Sequence, residues 1–220
     1  MVYAISDLHG QYQTFLKLLE IINFSANDEL YIIGDIMDRG DNPIEIFQHI
    51  MDKPNIHFIL GNHENMFLNS YEVDFSNWVY ETKLWLSNGG ITTLMEFQKL
   101  NKEEQDKIVK YIKNAPLCKK LEVNGQKFIL AHASYCEEEF PEVLLWERPY
   151  GNLKLPENHI LIFGHTRTKH FQSCIPMKIW TEKFDRMFGI DCGCAGGKGS
   201  TGQLGCLCLN NLNEFYAPIV

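Results

Sequence analysis

Five apolar segments of this chain each lead directly into residues that can bind a metal ion. The residues that follow these segments are Asp7 with His9, then Asp35, Asn62, His132 and His165. Short apolar runs of this kind are typical of buried strands. In open α/β sheets, functional groups gather just beyond the carboxyl ends of the strands. We therefore expect these side chains to converge on one metal site.

The donor atoms of this set are carboxylate and amide oxygens and imidazole nitrogens, with no thiolate. Asp7 and His9 are two residues apart, which on an extended segment would point both side chains the same way. Asp35 is the best candidate to bridge two ions, because a carboxylate has two oxygens to share. Oxygen and imidazole donors suit manganese, iron or zinc at a hydrolytic site better than a soft metal. We expect two divalent metal ions, with manganese favoured.

Composition narrows the class of protein. The 220 residues are enough for one large domain with a core, and the net charge of -8 argues against general nucleic-acid binding. No apolar stretch is long enough to span a bilayer, and a first strand beginning at Val2 leaves no room for a removable signal peptide. We expect a cytoplasmic protein with no nucleic-acid or membrane partner. Its seven cysteines are expected to be reduced thiols.

The first third of the chain predicts a βαβαβ unit. Strands are predicted over 2–6, 30–34 and 56–60, and helices from Gln11 to Ile22 and from Pro43 to about Met51. The short loops between them imply right-handed crossovers and a parallel sheet.

A helical insertion is predicted at about 64–114, packed on the sheet and forming one side of the site. Trp85 is interpreted as a core residue of a helix that stops at Asn88-Gly89-Gly90. Asn101 and Glu104 have the spacing of a capping box at the start of a further helix.

The second half predicts strands. A hairpin is expected where Leu117–Val123 and Lys127–Ala131 flank Asn124-Gly125, with further strands at 160–163, 175–180, 187–190, 203–209 and 213–216. Two facing sheets with helices outside is the simplest packing, within a single domain over 1–220. Two C-x-C pairs lie here, at Cys192 with Cys194 and at Cys206 with Cys208. Either they bind zinc or they are small buried hydrophobes, and their one-residue spacer and the leucines around the second pair favour the second interpretation.

Five motifs together carry a resemblance to a known family. They are Asp7-Leu8-His9-Gly10, Gly34-Asp35-Ile36-Met37-Asp38-Arg39-Gly40, Gly61-Asn62-His63-Glu64, His132-Ala133 and Gly164-His165-Thr166. In this order they resemble the signature of the phosphoprotein phosphatase family of binuclear metallophosphoesterases, and most of all its compact bacterial and bacteriophage-type serine/threonine phosphatases. The resemblance implies an α/β fold, the calcineurin-like metallophosphoesterase β-sandwich flanked by helices.

The resemblance also implies residue roles. Asp7, His9 and Asp35 would hold the first metal ion, and Asp35, Asn62, His132 and His165 the second. Substrate phosphate would be bound by Arg39 and Arg148, with Asn62 beside them. His63 would protonate the leaving alkoxide, oriented by Asp38. A serine or threonine alkoxide is a poor leaving group, so a general acid of this kind is needed. Arg167 lies just beyond Gly164-His165-Thr166 and could reach substrate, but interpretation as a solvated loop residue is favoured.

Three functions remain open at this point. The first is a metal-dependent phosphatase acting on phosphoserine or phosphothreonine in a phosphoprotein or phosphopeptide. The second is a dinucleoside polyphosphate hydrolase, a related group that generally lacks an acid at the position of Asp38 and tends to have Asp in place of Glu64. The third is a catalytically silent scaffold, which the complete ligand set disfavours.

Overall fold

The computed structural model describes residues 1–73, 79–149, 153–171, 175–182 and 186–220. Two five-stranded sheets form its centre. The first sheet has the order β10-β9-β1-β2-β3. Its strands are β1 (Val2–Ile5), β2 (Glu29–Ile33), β3 (Ile56–Ile59), β9 (Gln203–Cys208) and β10 (Glu214–Pro218). The three N-terminal strands pair in parallel, which confirms the predicted βαβαβ unit, and β9 and β10 add antiparallel pairs.

The second sheet has the order β4-β5-β6-β8-β7. Its strands are β4 (Cys118–Val123), β5 (Gln126–Ala131), β6 (His159–Phe163), β7 (Trp180–Thr181) and β8 (Met187–Gly189). Strands β5, β6 and β8 are parallel, whereas β4 and β7 pair antiparallel at the two edges. The predicted hairpin at Asn124-Gly125 is the β4–β5 turn, where both residues have positive φ.

The helices lie around the two sheets. They are α1 (Tyr12–Ile21), α2 (Pro43–Ile50), α3 (Asn62–Glu72), α4 (Tyr80–Trp85), α5 (Ile91–Phe97), α6 (Lys102–Lys113) and α7 (Pro141–Trp146). The predicted capping box starts α6, because the Asn101 side chain accepts the Glu104 N–H and the Glu104 carboxylate accepts the Asn101 N–H. Residues 74–78, inside the predicted helical insertion, lie outside the described residues.

Three apolar cores explain the layering. Between the sheets, Ala4, Ile33 and Ile59 pack with side chains such as Phe128 and Ile162. A larger core covers the helices and the outer face of the first sheet, and a smaller one underlies α7 on the second sheet. Burying both faces of each sheet is what its apolar strands require. The architecture is the α/β sandwich flanked by helices that was predicted.

Two sequence expectations about these elements were wrong. The strand expected over 175–180 is confined to β7, which begins only at Trp180. The helix expected to stop at Asn88-Gly89-Gly90 instead continues through a kinked turn, Leu86–Gly90, into α5. Gly89 adopts a φ of 103° there, so the glycines mark a kink and not an end.

The four cysteines at 192, 194, 206 and 208 are buried among apolar side chains, which is the interpretation that the sequence favoured. Across the described ranges, none of the helices has the length and apolar character needed to cross a lipid bilayer.

Candidate active site

Unusual backbone conformations mark the loops beyond the strand ends. Six non-glycine residues of these loops have positive φ, between 43° and 71°: Asp7, His9, Asp35, Asp38, Arg39 and His165. Non-glycine residues adopt this left-handed region uncommonly, and such strain clusters at functional sites. The expectation that Asp7 and His9 share an extended segment was therefore wrong. The loops hold each other instead, because the Asp7 N–H donates to the Gly34 carbonyl and the His9 N–H to the Asp35 carbonyl.

Glu64 fixes the loop that carries Asp35. Its carboxylate accepts backbone N–H bonds from Asp35 at 3.0 Å, Ile36 at 2.8 Å and Met37 at 3.2 Å. It also accepts the Gly61 N–H at 3.2 Å, and it is fully buried. Burial, reinforced by the charge of Asp35, raises the pKa of Glu64 to about 7. Glu64 therefore positions the Asp35 loop. The sequence analysis used Glu64 only to distinguish phosphatases from dinucleoside polyphosphate hydrolases. Its place just after a strand end, beside Asn62 and His63, was the signal that could have predicted the positioning role.

Asp35 lies at the centre of the candidate metal ligands. One of its oxygens, Oδ2, is 3.5 Å from His9 Nε2, and the other, Oδ1, is 3.3 Å from His132 Nε2. Two groups of donor atoms share Asp35. The first joins it to His9 and His63, the second to His132 and His165, and within each group the atoms lie within 4.8 Å of one another. Atoms bound to one ion at about 2.1 Å lie about 3 Å apart, so this spacing suits metal binding.

Asn62 and Asp7 complete the predicted ligand set in different ways. The Asn62 Oδ1 atom lies 2.9 Å from His132 Nε2 and 3.1 Å from His165 Nδ1, within the second group. Asp7 lines the same pocket, but it belongs to neither group of mutually close atoms. Its oxygens accept the backbone N–H of His165 at 3.0 and 3.2 Å, which ties the first strand of one sheet to a loop of the other.

The histidine orientations also fit metal ions. His9 Nδ1–H donates to the Met37 carbonyl at 2.9 Å and His132 Nδ1–H to the Ile33 carbonyl at 3.1 Å, so each directs Nε2 toward Asp35. A backbone partner at the other ring nitrogen is typical of metal-binding histidines. Burial, with the charge of His63, lowers the pKa of His9, and burial, with that of His132, lowers the pKa of His165 to about 4. Both rings are therefore neutral, as ligands must be.

His132 differs from these two rings. Burial disfavours its charged form, but the Asp35 carboxylate outweighs burial and raises the pKa of His132 to about 10. A metal ion at Nε2 would displace the proton there. The donor set, the shared carboxylate and the ring orientations together fit divalent metal ions.

His63 and Asp38 form a buried pair beside Asp35. His63 Nδ1–H donates to Asp38 Oδ2 at 2.6 Å. Asp38 is held in turn by the Trp85 indole N–H at 2.9 Å and by the Thr93 hydroxyl at 2.6 Å. Burial works against a charged His63, but Asp35 and Asp38 outweigh it and raise its pKa. Trp85 is a core residue, as expected, but its bond to Asp38 and that of Thr93 were missed, because nothing local in the sequence links α4 and α5 to Asp38.

The guanidinium of Arg39 faces two ring nitrogens. It donates to His9 Nε2 at 2.9 Å and to His63 Nε2 at 2.8 Å. Its backbone N–H donates to the Gly89 carbonyl at 3.0 Å, and a Cβ at Gly89 would lie 2.7 Å from Arg39 Cγ. The kink between α4 and α5 therefore lies against Arg39, and only a glycine at position 89 leaves room for the Arg39 side chain.

A pocket of about 290 Å³ opens above these groups. The described residues that line it are Asp7, Asp35, Arg39, Asn62, His63, Asn88, Trp146, Arg148, His165, Thr166, Arg167, His170 and Asp191. Arg148 lies on the lining, as expected. Arg167 also lies on it, which corrects its interpretation as a solvated loop residue. Asp191 was missed: its carboxylate is buried beside that of Asp7, and burial, reinforced by the charge of Asp191, raises the pKa of Asp7.

Comparison with known proteins agrees with this geometry. The sequence pattern of the family described as "Calcineurin-like phosphoesterase" matches residues 1–173. The chain belongs to this family. It is therefore a metallophosphoesterase, a hydrolase of the class that works with divalent metal ions.

Individual relatives carry two different names. Serine/threonine-protein phosphatase 2 of Salmonella typhimurium is 28% identical over 74% of this chain and 78% of its own length. A symmetrical bis(5'-nucleosyl)-tetraphosphatase of Wigglesworthia glossinidia brevipalpis is 42% identical, but over only 28% of this chain and 24% of its own length. A crystal structure reported for a proposed diadenosine tetraphosphatase superposes with a TM-score of 0.68 over 99% of this chain and 92% of its own, at 16% identity. The last comparison bears on the fold alone.

Proposed function

We propose that this metallophosphoesterase is a serine/threonine protein phosphatase that cleaves phosphate monoesters of phosphoproteins or phosphopeptides. The observation that carries the proposal is the His63–Asp38 pair, with its 2.6 Å bond, placed beside Asp35 at the base of the pocket. An alkoxide leaving group needs a proton, and a histidine whose pKa is raised by carboxylates is suited to supply it. The similarity to a serine/threonine-protein phosphatase over most of the chain supports the same substrate class.

Each residue has a role in this proposal. Arg39 and Arg148 bind the phosphoryl oxygens, since guanidinium groups match their geometry with paired hydrogen bonds. The Asn62 side-chain amide also contacts the phosphoryl oxygens in this proposal. In the structure the Arg39 guanidinium donates to His63 Nε2, and substrate phosphate takes over that guanidinium, which leaves Nε2 free to carry the proton for the leaving oxygen. Asp38 keeps the ring oriented, and Trp85 and Thr93 keep Asp38 in place.

The proposed metal ligands are Asp7, His9 and Asp35 for one ion and Asp35, Asn62, His132 and His165 for the other, with manganese as the proposed element. Two divalent ions supply Lewis acidity toward phosphoryl oxygens and lower the pKa of water toward about 7. The protein contributes the positions of the donors, which Glu64 fixes through four backbone N–H groups. Asp7 is not among the donor atoms that lie within 4.8 Å of one another, so its carboxylate would have to move closer to His9 and Asp35 to bind the first ion.

A second candidate function is hydrolysis of dinucleoside polyphosphates. It is favoured by the relatives named bis(5'-nucleosyl)-tetraphosphatase, whose matches range from 42% identity over 28% of the chain to 28% identity over 60% of it. The leaving group of that reaction is itself a phosphate, so it depends far less on a general acid than an alkoxide does. The His63–Asp38 pair therefore ranks this candidate below the phosphatase.

Turnover of three substrates by one preparation tests the ranking. Metal-stripped protein is supplied with manganese and given a phosphoserine peptide, diadenosine tetraphosphate and 4-nitrophenyl phosphate. We expect kcat/KM to be higher for the phosphopeptide than for the dinucleotide. Asp38→Asn should reduce peptide turnover more than aryl phosphate turnover, whereas the exposed neighbour Asp41→Asn serves as a control that changes neither. Faster cleavage of diadenosine tetraphosphate would reverse the ranking, and no turnover of any substrate would contradict both candidates.

A further inference from the structure

Arginine is concentrated in one place in this protein. The chain has four arginines, and three of them, Arg39, Arg148 and Arg167, line the same pocket. Throughout the described ranges, the ion pairs use lysine, histidine or the amino terminus, and no arginine. The three guanidinium groups thus face a shared space without a carboxylate partner at ion-pair distance.

The proposed reaction uses only two of these arginines. Arg39 is already placed by its bonds to His9 and His63, and Arg148 joins it at the phosphate. A phosphate monoester presents one cluster of oxygens, which two guanidinium forks are sufficient to bind. Arg167 is left with its charge directed to the same pocket and no assigned partner.

Arg167 is held in place by the metal-site strands. It follows His165 by two residues, and the Gly164 N–H donates to the His132 carbonyl at 2.8 Å. On its other side the Thr168 N–H donates to the Asp191 carbonyl at 2.9 Å. Bonds on both sides anchor the turn, so the base of the side chain stays at the pocket edge. Its half-buried side chain is therefore positioned and not freely solvated.

The neighbouring hydroxyl also lacks a partner. Thr166 lines the pocket and is only 3% exposed, yet its Oγ1 has no hydrogen-bond partner within the described part of the chain. Seven buried side-chain atoms of the described residues lack a partner, and Thr166 Oγ1 is the one among them whose residue lines this pocket, where a ligand or an ordered water can supply the partner. Asp191 is the carboxylate whose charge interacts with Arg167, but the two are not within ion-pair distance, and Asp191 Oδ1 accepts the Gly193 N–H.

We propose that Arg167 and Thr166 form a second anion subsite, which binds an anionic group of the substrate next to the scissile phosphoryl group. The inference rests on the proposed phosphoesterase reaction at this pocket and predicts that, among its substrates, esters with a second negative charge nearby are preferred. The charge comes either from acidic side chains that flank a phosphoserine or from further phosphoryl groups of a polyphosphate.

The test compares two phosphoserine peptides that differ only in the residues flanking phosphoserine, Asp in one and Asn in the other. 4-Nitrophenyl phosphate reports the reaction without a second anion. We expect the full-length manganese enzyme to prefer the Asp peptide, and Arg167→Ala to lower that preference about three- to fivefold, as for loss of one accessible ion pair. Turnover of 4-nitrophenyl phosphate should stay within about twofold, and Arg167→Lys should keep part of the preference.

Lys169→Ala is the matched control. Lys169 lies two residues after Arg167 and is also positively charged, but its side chain does not line the pocket. It should leave the preference unchanged. An unchanged preference in Arg167→Ala, equal losses on all three substrates, or a wild-type enzyme indifferent to the flanking residues would each overturn the subsite.

Failure of the proposed protein phosphatase function gives a different pattern. In that case the wild-type enzyme cleaves neither peptide but does cleave diadenosine tetraphosphate. The subsite is then judged by the kcat/KM for this dinucleotide relative to 4-nitrophenyl phosphate, which Arg167→Ala should lower about three- to fivefold. An equal ratio in the variant and the wild type would overturn the subsite there too.

Discussion

The pocket has two walls that are built differently. The N-terminal wall is formed by Asp35, Arg39 and His63, with Asp38 behind them. Asp35, Asp38 and His63 are residues at most 2% exposed, Arg39 is exposed, and Asp35, Asp38 and Arg39 have left-handed backbone conformations. The C-terminal wall, Trp146, Arg148 and Arg167, has side chains that are exposed or half-buried, with Trp146 39% exposed. The first is held by Glu64, Thr93 and Trp85 through buried hydrogen bonds, whereas no arginine of the second has an ion-pair partner in the described ranges.

This contrast separates two requirements of a phosphoesterase. Groups that take part in bond cleavage must hold their geometry closely, and strained backbone survives only where surrounding bonds over-determine it. Groups that bind variable parts of a substrate gain from remaining accessible. Changes in the N-terminal wall should therefore reduce the rate of the reaction, and changes in the C-terminal wall should alter which ligands bind.

The largest effect is expected from His63→Asn. General acid catalysis is worth about 10²–10⁴-fold, so kcat on a phosphoserine peptide should fall by that order. An activated aryl phosphate, whose leaving group needs little protonation, should lose far less. Steady-state kinetics on both substrates measures the difference, with His57→Asn as a control far from the pocket. Equal losses on the two substrates would remove the acid role from His63 and weaken the separation of the two walls.

Glu64→Gln should have an intermediate effect. The amide keeps one accepting oxygen but loses the charge that receives four backbone N–H groups, so the Asp35 loop loosens. Groups that orient metal ligands are typically worth 10–100-fold in metal affinity. We expect manganese binding, measured by titration calorimetry on metal-stripped protein, to weaken by about that factor. The exposed Glu103→Gln is the matched control, and unaltered manganese affinity in Glu64→Gln would show that the loop holds without this carboxylate.

The smallest effect is expected from Arg148→Ala. Loss of one accessible ion pair corresponds to about 1 kcal/mol, or roughly fivefold, in phosphate binding. Inhibition by inorganic phosphate should weaken by this factor while kcat on 4-nitrophenyl phosphate changes little. Lys154→Ala removes an exposed charge outside the pocket and should change neither value. A large fall in kcat with unchanged inhibition by phosphate would contradict this prediction, because Arg148 would then act on the rate of the reaction, as the residues of the N-terminal wall do.

The elements that the sequence predicted well are those determined by local patterns. Apolar runs followed by Asp35 and Asn62 predicted strands of the first sheet, and the run followed by His132 predicted a strand of the second. Within each sheet the carboxyl ends of parallel strands share an edge, which brings their side chains together. The capping box at Asn101 was equally local. The match to a set of ordered motifs gave the family.

Features that depend on distant contacts could not be predicted in this way. The left-handed conformations of Asp7 and His9 depend on bonds to the Gly34 and Asp35 carbonyls, which belong to another loop. The kink at Gly89 is packed against the Arg39 side chain, which lies 50 residues earlier in the chain. The position of Arg167 depends on anchors from two other strand ends. In each case the deciding partner is far away in the sequence.

The central claim is that Asp35 joins two metal groups into one centre. Anomalous diffraction at the manganese edge, from crystals grown with manganese, tests it directly. We predict two peaks about 3.5–4 Å apart. One Asp35 oxygen should bind each ion, with His9 at the first and with Asn62, His132 and His165 at the second. A single peak, or two peaks that do not share Asp35, would contradict the account.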